Sequence, residues 1–202
     1  GHYVVQEVQD GTAGAIALAE PFVDEDVLII FADAVLEVDY GLTKTLGAEY
    51  AALLWAKEVE DYQRFGVIVT NEDGTMKQIV EKPSEPVSKL ANIGLYYIRD
   101  HELLFEGVRH TLATDPSPSG EYYLTDAFQY MVDQGAKLVT APVDGWWDAG
   151  KPETLFETNG HLLETGWGGV DPDATVEGAE IIEPVRIEPG VVVRGGRIGP
   201  NV

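Results

Sequence analysis

Apolar residues fall in short blocks divided by Gly, Pro and acidic residues. Residues 3 to 8 (YVVQEV) and 27 to 31 (VLIIF) have the β-branched content of strands, and the Ala-rich stretch Gly11 to Ala19 between them predicts a short helix. Together they predict a β-α-β unit. The second block is apolar throughout, as a central strand covered on both faces requires, and it stops at Asp33. That places a carboxylate at the C-terminal edge of a strand, where open α/β sheets bind ligands. After an irregular stretch and AALLWAKEV, residues 59 to 86 read as two strands joined at Asn71-Glu72-Asp73-Gly74, since Asp-Gly is a strong hairpin signal. LANIGLYYI, residues 90 to 98, predicts a strand with Gly94 inside it. A helix around 100 to 113 follows, then a Pro/Ser-rich loop (TDPSPSG), then a helix opening between Glu121 and Asp126. AKLVTAPV predicts a late strand, and GKPETLFETNGHLLE a helix with Pro152 in its first turn.

From residue 165 the pattern changes. TGWGGVDPDA reads as a linker. Beyond it Ile181, Ile187 and Val193 recur every six residues, with Val185 and Val191 four places after the first two. A six-residue repeat with Gly and Pro between aliphatics suits short parallel strands that turn repeatedly, as in a β-helix, although the period slips to five before Ile198. Two or three such repeats cannot bury their own faces, so the segment is expected to begin a longer array, cut at its C-terminus, or to need a covering partner. The predicted organisation is an α/β domain over residues 1–168 and the start of a hexapeptide-repeat β-helix over 169–202.

Charge narrows the partners. Thirty-five acidic residues against 13 basic ones give a formal charge of -22, which argues against a nucleic-acid polymer or an anionic membrane, because phosphate surfaces need a basic stripe. A bound phosphate must be held by a local cation. There is no cysteine, hence no disulfide and no thiolate metal site, and a cytoplasmic setting is the default reading. No apolar run approaches a membrane span. Few lysines among many Glu and Asp fit either a salt-loving source or an ordinary solvated acidic surface. His2, His101, His110 and His161 are scattered without ligand spacing and carry no assigned chemistry.

The blocks QEVQDGTAGA, FADAV, EVEDYQRFGV, IVEKPSEP, NIGLYYI, GEYYLTDA and WWDAGKPETL, in this order and spacing, resemble the sugar nucleotidyltransferases, or nucleoside-diphosphate-sugar pyrophosphorylases. Within that family the chain is most similar to glucose-1-phosphate thymidylyltransferase-like and uridylyltransferase-like members with a C-terminal left-handed β-helix. The resemblance implies a Rossmann-like nucleotide-diphospho-sugar transferase sheet. It also implies a reaction: a sugar 1-phosphate attacks the α-phosphorus of a nucleoside triphosphate (dTTP or UTP), pyrophosphate leaves, and a nucleotide sugar forms. The family uses Mg²⁺ and no covalent intermediate, so catalysis rests on charge neutralisation and in-line positioning.

Roles implied by the resemblance fall on particular residues. Gln6, by its side-chain amide, and Gly11, by its backbone, match the base-reading positions, with Thr12 adjoining base or ribose. Asp33 and Asp148 match the two metal-binding carboxylates, hard oxygen ligands of the kind Mg²⁺ prefers. Lys82 matches the lysine that holds the sugar phosphate, and Glu81 accepts from sugar hydroxyls. Gly66, Asn92 and Tyr96 fall on sugar-contacting positions, Gly66 and Asn92 through their backbones, and Glu121 approaches the sugar. Plainer readings stand beside these: Asp33 as a turn cap, Asp148 as an N-cap, Lys82 as a surface lysine, Tyr96 as core.

The chain also departs from the family. The diagnostic triphosphate loop, G-x-G-T-R followed later by K-P, is absent, so an incomplete sheet and little transferase activity are expected of these 202 residues alone. Ala34 stands where relatives often carry a polar residue. The rival expectation is a non-catalytic sugar-nucleotide-binding or assembly subunit of the same fold. Oligomeric state, a homo-oligomer included, stays open.

Overall fold

The computed structural model describes residues 1–202, which divide into two compact units. The first comprises Gly1–Ala32 and Glu37–Asp144, and the second Asp33–Leu36 and Gly145–Val202. The strands up to residue 144 are β1 (Val27–Ile30), β2 (Ala34–Glu37), β3 (Ala52–Glu58), β4 (Gly66–Thr70), β5 (Met76–Glu81), β6 (Leu90–Ile98) and β7 (Leu138–Ala141). All but β2 form one mixed sheet in the order β5-β4-β6-β3-β7, with β1 also paired to β6. β6 is antiparallel to β1, β3 and β4, while β3 and β7 run parallel. Helices α1 (Thr12–Ala17), α2 (Leu42–Thr45), α3 (His101–Leu112) and α4 (Leu124–Asp133) complete this unit.

β6 is apolar at nearly every position because both of its faces are covered. Tyr96 and Ile98 join Leu104 and Val108 of α3 and Phe128 and Met131 of α4 in the main core, while Ile93 and Leu95 are also buried. Asp100 starts α3 by accepting from the Leu103 N–H at 3.1 Å. The hairpin forms as its sequence predicts, with Gly74 N–H donating to the Asn71 carbonyl at 3.0 Å and β4 and β5 in antiparallel register.

Two expectations fail at the N-terminal end. Residues 3–8 are not a strand: Tyr3, Val5 and Val8 lie largely exposed, and no strand lies alongside to complete a ladder. β-branched composition supplies propensity but not a partner, so α1 forms without the predicted β-α-β unit. β1 forms, yet not as a central strand covered on both faces. It pairs with β6 alone, and Leu28 and Ile30 are 43% and 49% exposed.

Gly94 is where β6 departs from regularity. Leu54 and Ala56 of β3 face Tyr96 and Asn92, so two positions of one strand oppose four of the other, a bulge. Gly94 takes φ +79°, and a Cβ there would lie 2.8 Å from the Phe31 ring. Gly94→Ala is expected to cost about 2–5 kcal/mol, combining left-handed strain with overpacking. Urea unfolding of the two proteins measures this directly.

In the second unit, β8 (Gly145–Asp148) pairs with β2, and α5 (Pro152–Leu162) follows with Pro152 in its first turn. Six short strands come next: β9 (Gly169–Val170), β10 (Thr175–Glu177), β11 (Glu180–Ile181), β12 (Arg186–Ile187), β13 (Val192–Arg194) and β14 (Arg197–Ile198). They pair in parallel as β9 with β12, β10 with β13 and β11 with β14. Gly169 faces Arg186, Thr175 faces Val192 and Glu180 faces Arg197, so every pair joins residues 17 positions apart. The slip from six to five before Ile198 is therefore part of the repeat, since the step from β10 to β11 is five residues and so is the step from β13 to β14. Val185 and Ile187 are buried within this unit. No helix of the chain is long and apolar enough to cross a membrane.

Candidate active site

The β4–β5 register sets Gly66 opposite Glu81, and the bulge in β6 brings Asn92 and Tyr96 together beside them. Tyr96 is fully buried, and its hydroxyl donates to Asn92 Oδ1 at 2.5 Å. The Gly94 N–H donates to the same oxygen at 3.2 Å, so the Asn92 amide is fixed with its NH₂ turned the other way. A Cβ on Gly66 would sit 2.8 Å from Glu81 Oε2, 3.0 Å from the Thr125 methyl and 3.6 Å from Asn92 Nδ2. A glycine is required there for space, and the missing Cβ leaves a carboxylate and an amide donor facing one small gap. Burial holds the Tyr96 hydroxyl well above its ordinary pKa, so it stays a proton donor at neutral pH.

Glu81 accepts from the Thr125 hydroxyl at 3.2 Å. Burial raises its pKa above the ordinary 4.5, against the lowering pull of Lys82 and the Thr125 hydrogen bond, while Asp126 and Glu121 push it further up. The sign follows. A carboxyl with a raised folded pKa destabilises the fold progressively as pH climbs from its unfolded pKa through its folded one, and by the full amount above that. Glu81→Gln should therefore raise the melting temperature at neutral pH, with the difference vanishing below the unfolded pKa. Thermal unfolding of both proteins from acid to neutral pH checks this.

Lys82 follows directly, with φ +44°, a left-handed conformation rare for a side chain with a Cβ. Its N–H donates to the Phe65 carbonyl at 3.0 Å, and its ammonium lies 5.1 Å from the centroid of the Tyr123 ring. The Pro/Ser-rich loop frames this corner. Ser119 Oγ lies 2.8 Å from the Tyr123 hydroxyl and donates to Glu121 at 3.2 Å, while Ser117 N–H donates to the Glu121 carbonyl at 3.0 Å.

The base-reading candidates lie in the same unit. Gln6 Nε2 donates to Asp10 Oδ1 at 2.8 Å and to the Gly11 carbonyl at 3.1 Å. Both partners are obligate acceptors, so the amide oxygen of Gln6 is the end left for a ligand. Gly11 has φ +108°, and a Cβ would lie 2.4 Å from the Tyr122 carbonyl oxygen. Tyr122 N–H donates to the Asp10 carbonyl at 2.7 Å and its carbonyl accepts from Ala13 N–H at 3.0 Å. That two-bond bridge joins the Gln6–Gly11 segment to the Glu121–Thr125 segment. Thr12 has a structural duty, because its hydroxyl oxygen accepts from the Leu124 N–H at 2.9 Å and so caps α4. A hollow of about 320 Å³ lined by Val4, Gln6, Leu18 and Phe22 opens beside this segment.

Asp33 and Asp148 both belong to the second unit. Asp148 ends β8, its Oδ1 accepts from Gly150 N–H at 2.9 Å, and its carbonyl accepts from Thr158 of α5 at 3.1 Å. Ala149 N–H donates to the Asp33 carbonyl at 2.8 Å. A Cβ on Gly150 would lie 3.0 Å from Asp148 Oδ1 and 3.3 Å from Asp33 Oδ2, so two carboxylate oxygens flank one empty point. No cluster of three or more His, Asp or Glu suited to a metal occurs. Two hard carboxylates around a gap fit a magnesium ion that keeps most of its waters.

The structure thus gathers Gly66, Glu81, Lys82, Asn92, Tyr96 and Glu121 into one neighbourhood, joins Gln6, Gly11 and Thr12 to it, and pairs Asp33 with Asp148. Sequence reasoning missed Asp10, Tyr123, Thr125 and Gly150. Asp10 and Gly150 stand within a few residues of assigned positions, and Tyr123 and Thr125 lie inside the GEYYLTDA block.

Comparison with known proteins places the chain in a family. The nucleotidyl transferase family matches residues 1–165. The low-salt glycan biosynthesis nucleotidyltransferase Agl11 of Haloferax volcanii is 36% identical over 185 residues, covering 87% of this chain and 50% of that protein. A glucose-1-phosphate thymidylyltransferase of Streptomyces griseus is 30% identical over 207 residues, covering 99% of this chain and 56% of the relative. The chain thus spans about half the length of the curated relatives it matches. A Bacillus anthracis protein assigned as a glucose-1-phosphate thymidylyltransferase, solved in complex with sucrose, superposes with a TM-score of 0.68 at 26% identity, over 83% of this chain and 67% of that one. With a family match over most of its length and the fold and residue pattern to accompany it, this chain belongs to the nucleotidyl transferase family.

Proposed function

We propose that this protein transfers a nucleotidyl group from dTTP or UTP to a sugar 1-phosphate, glucose 1-phosphate or a similar sugar, releasing pyrophosphate and forming a nucleotide sugar. The observation that carries the reading is the Gly66–Glu81–Lys82–Asn92 corner. There a half-buried carboxylate and an oriented amide can address sugar hydroxyls, next to one lysine able to hold a phosphate on an otherwise acidic chain. Lys82 neutralises the sugar phosphate as its oxygen attacks the α-phosphorus and the bond to the β-phosphate breaks. Glu81 and Asn92 fix the ring so that attack is in line. Gln6, its amide held by Asp10 and Gly11, offers an acceptor to the base.

Asp33 and Asp148 would hold magnesium, which when bound supplies charge stabilisation to the phosphates. The paired 17-residue turns support a left-handed β-helix, and a cytoplasmic location suits the nucleotide substrates. The test is pyrophosphate release by the intact protein with dTTP or UTP and glucose 1-phosphate or N-acetylglucosamine 1-phosphate, with and without Mg²⁺. Metal-dependent release is expected for one pair; silence across all pairs would overturn the reading in favour of a binding subunit.

A further inference from the structure

We infer that Tyr123 is a positioning residue for Lys82, its ring serving as the rest on which the ammonium waits for the sugar phosphate. The inference rests on the function proposed above. Lys82 stands among acidic groups: Glu81 precedes it, and Glu121 and Asp126 act on the same carboxylate. An ammonium on a flexible four-carbon stem would ordinarily fold onto one of these carboxylates, and a phosphate would then have to displace that ion pair. Instead Lys82 forms none of the chain's ion pairs and lies 5.1 Å from the Tyr123 ring centroid.

A ring face attracts a cation without neutralising it, so the full positive charge stays available to an incoming anion. Two features hold the parts in place. The left-handed backbone at Lys82, anchored by the Phe65 carbonyl, aims the side chain, and the Ser119 hydroxyl, 2.8 Å from the Tyr123 oxygen, steadies the ring. Tyr123 is also the N-cap residue of α4, next to Leu124 whose N–H is capped by Thr12.

The test compares Tyr123→Phe, which keeps the ring, with Tyr123→Leu, which keeps apolar bulk without it. Lysines of the intact protein are ¹³C-methylated and the Lys82 signal is identified by its loss in Lys82→Arg. Ring-current shielding of that signal is expected in the native protein and in Tyr123→Phe, and not in Tyr123→Leu. In turnover, Tyr123→Leu should raise KM for the sugar 1-phosphate about two- to five-fold while leaving KM for the nucleotide unchanged, with Tyr123→Phe, which keeps the ring and loses only the Ser119 contact, nearer to native than to Tyr123→Leu. An unshielded native signal, or equal losses in both variants, would overturn the inference. If no substrate pair turns over, titration of the methylated protein with glucose 1-phosphate still decides. A shift of the Lys82 signal that weakens in Tyr123→Leu alone supports the role, and no shift refutes it, separately from the fate of the catalytic reading.

Discussion

Asp148→Asn and Asp33→Asn, introduced separately into the intact protein, are each expected to lower magnesium-dependent pyrophosphate release by about three orders of magnitude, the several kcal/mol that a metal's polarisation supplies. Asparagine is the informative replacement. Asp148 Oδ1 accepts the Gly150 N–H, and an amide oxygen accepts the same bond, so the turn beyond β8 keeps its hydrogen bond while the charge is lost. Magnesium binding by equilibrium dialysis should weaken in both variants, with melting temperatures recorded without metal as the check on folding. Full activity in either one would remove that residue from the metal site.

Lys82 supports a prediction in which function and stability move in opposite directions. Lys82→Gly should raise KM for the sugar 1-phosphate about 10- to 100-fold, the worth of a hydrogen bond to a charged group. It should also relieve the left-handed backbone at φ +44°, a strain of about 1–3 kcal/mol for a residue with a Cβ. Lys82→Ala loses the same charge without that relief. The glycine variant is thus expected to unfold at a higher urea concentration than the alanine variant while both bind the sugar phosphate equally poorly. Equal stability of the two would mean the conformation at position 82 carries no strain.

What the sequence disclosed and what it hid divide along physical lines. The hairpin was legible because Asn-Glu-Asp-Gly fixes a turn locally, and β6 because nine nearly continuous strand-forming residues need two covered faces. Residues 3–8 misled because strand formation is a property of pairs, and composition says nothing about a partner. VLIIF misled in the same way: its apolar run suggested burial on both faces, whereas β1 leaves Leu28 and Ile30 half exposed. The six-residue spacing disclosed the short strands, but the five-residue step looked like an error until pairing 17 apart made it a corner of each turn.

At the site, Glu81, Lys82, Asp33 and Asp148 became candidates through the family resemblance, with Asp33 also set at a strand edge by the apolar pattern. Tyr123 and Asp10 did not, because their importance lies in what they do to Lys82 and Gln6. Gly66 and Gly150 matter through atoms they lack. Such roles exist only in the distances of a folded chain.

The pairing of β2 with β8 has a bearing on the order of events during folding. Asp33 and Asp148 are 115 positions apart, and everything from α2 to β7 lies in the loop between them. Closing a loop of that length carries a conformational-entropy cost that the β4–β5 hairpin, whose ends are a few residues apart, does not face. The acidic pair is therefore expected to assemble late. In a refolding time course, the capacity to bind magnesium should appear after the bulk of the sheet signal has already returned.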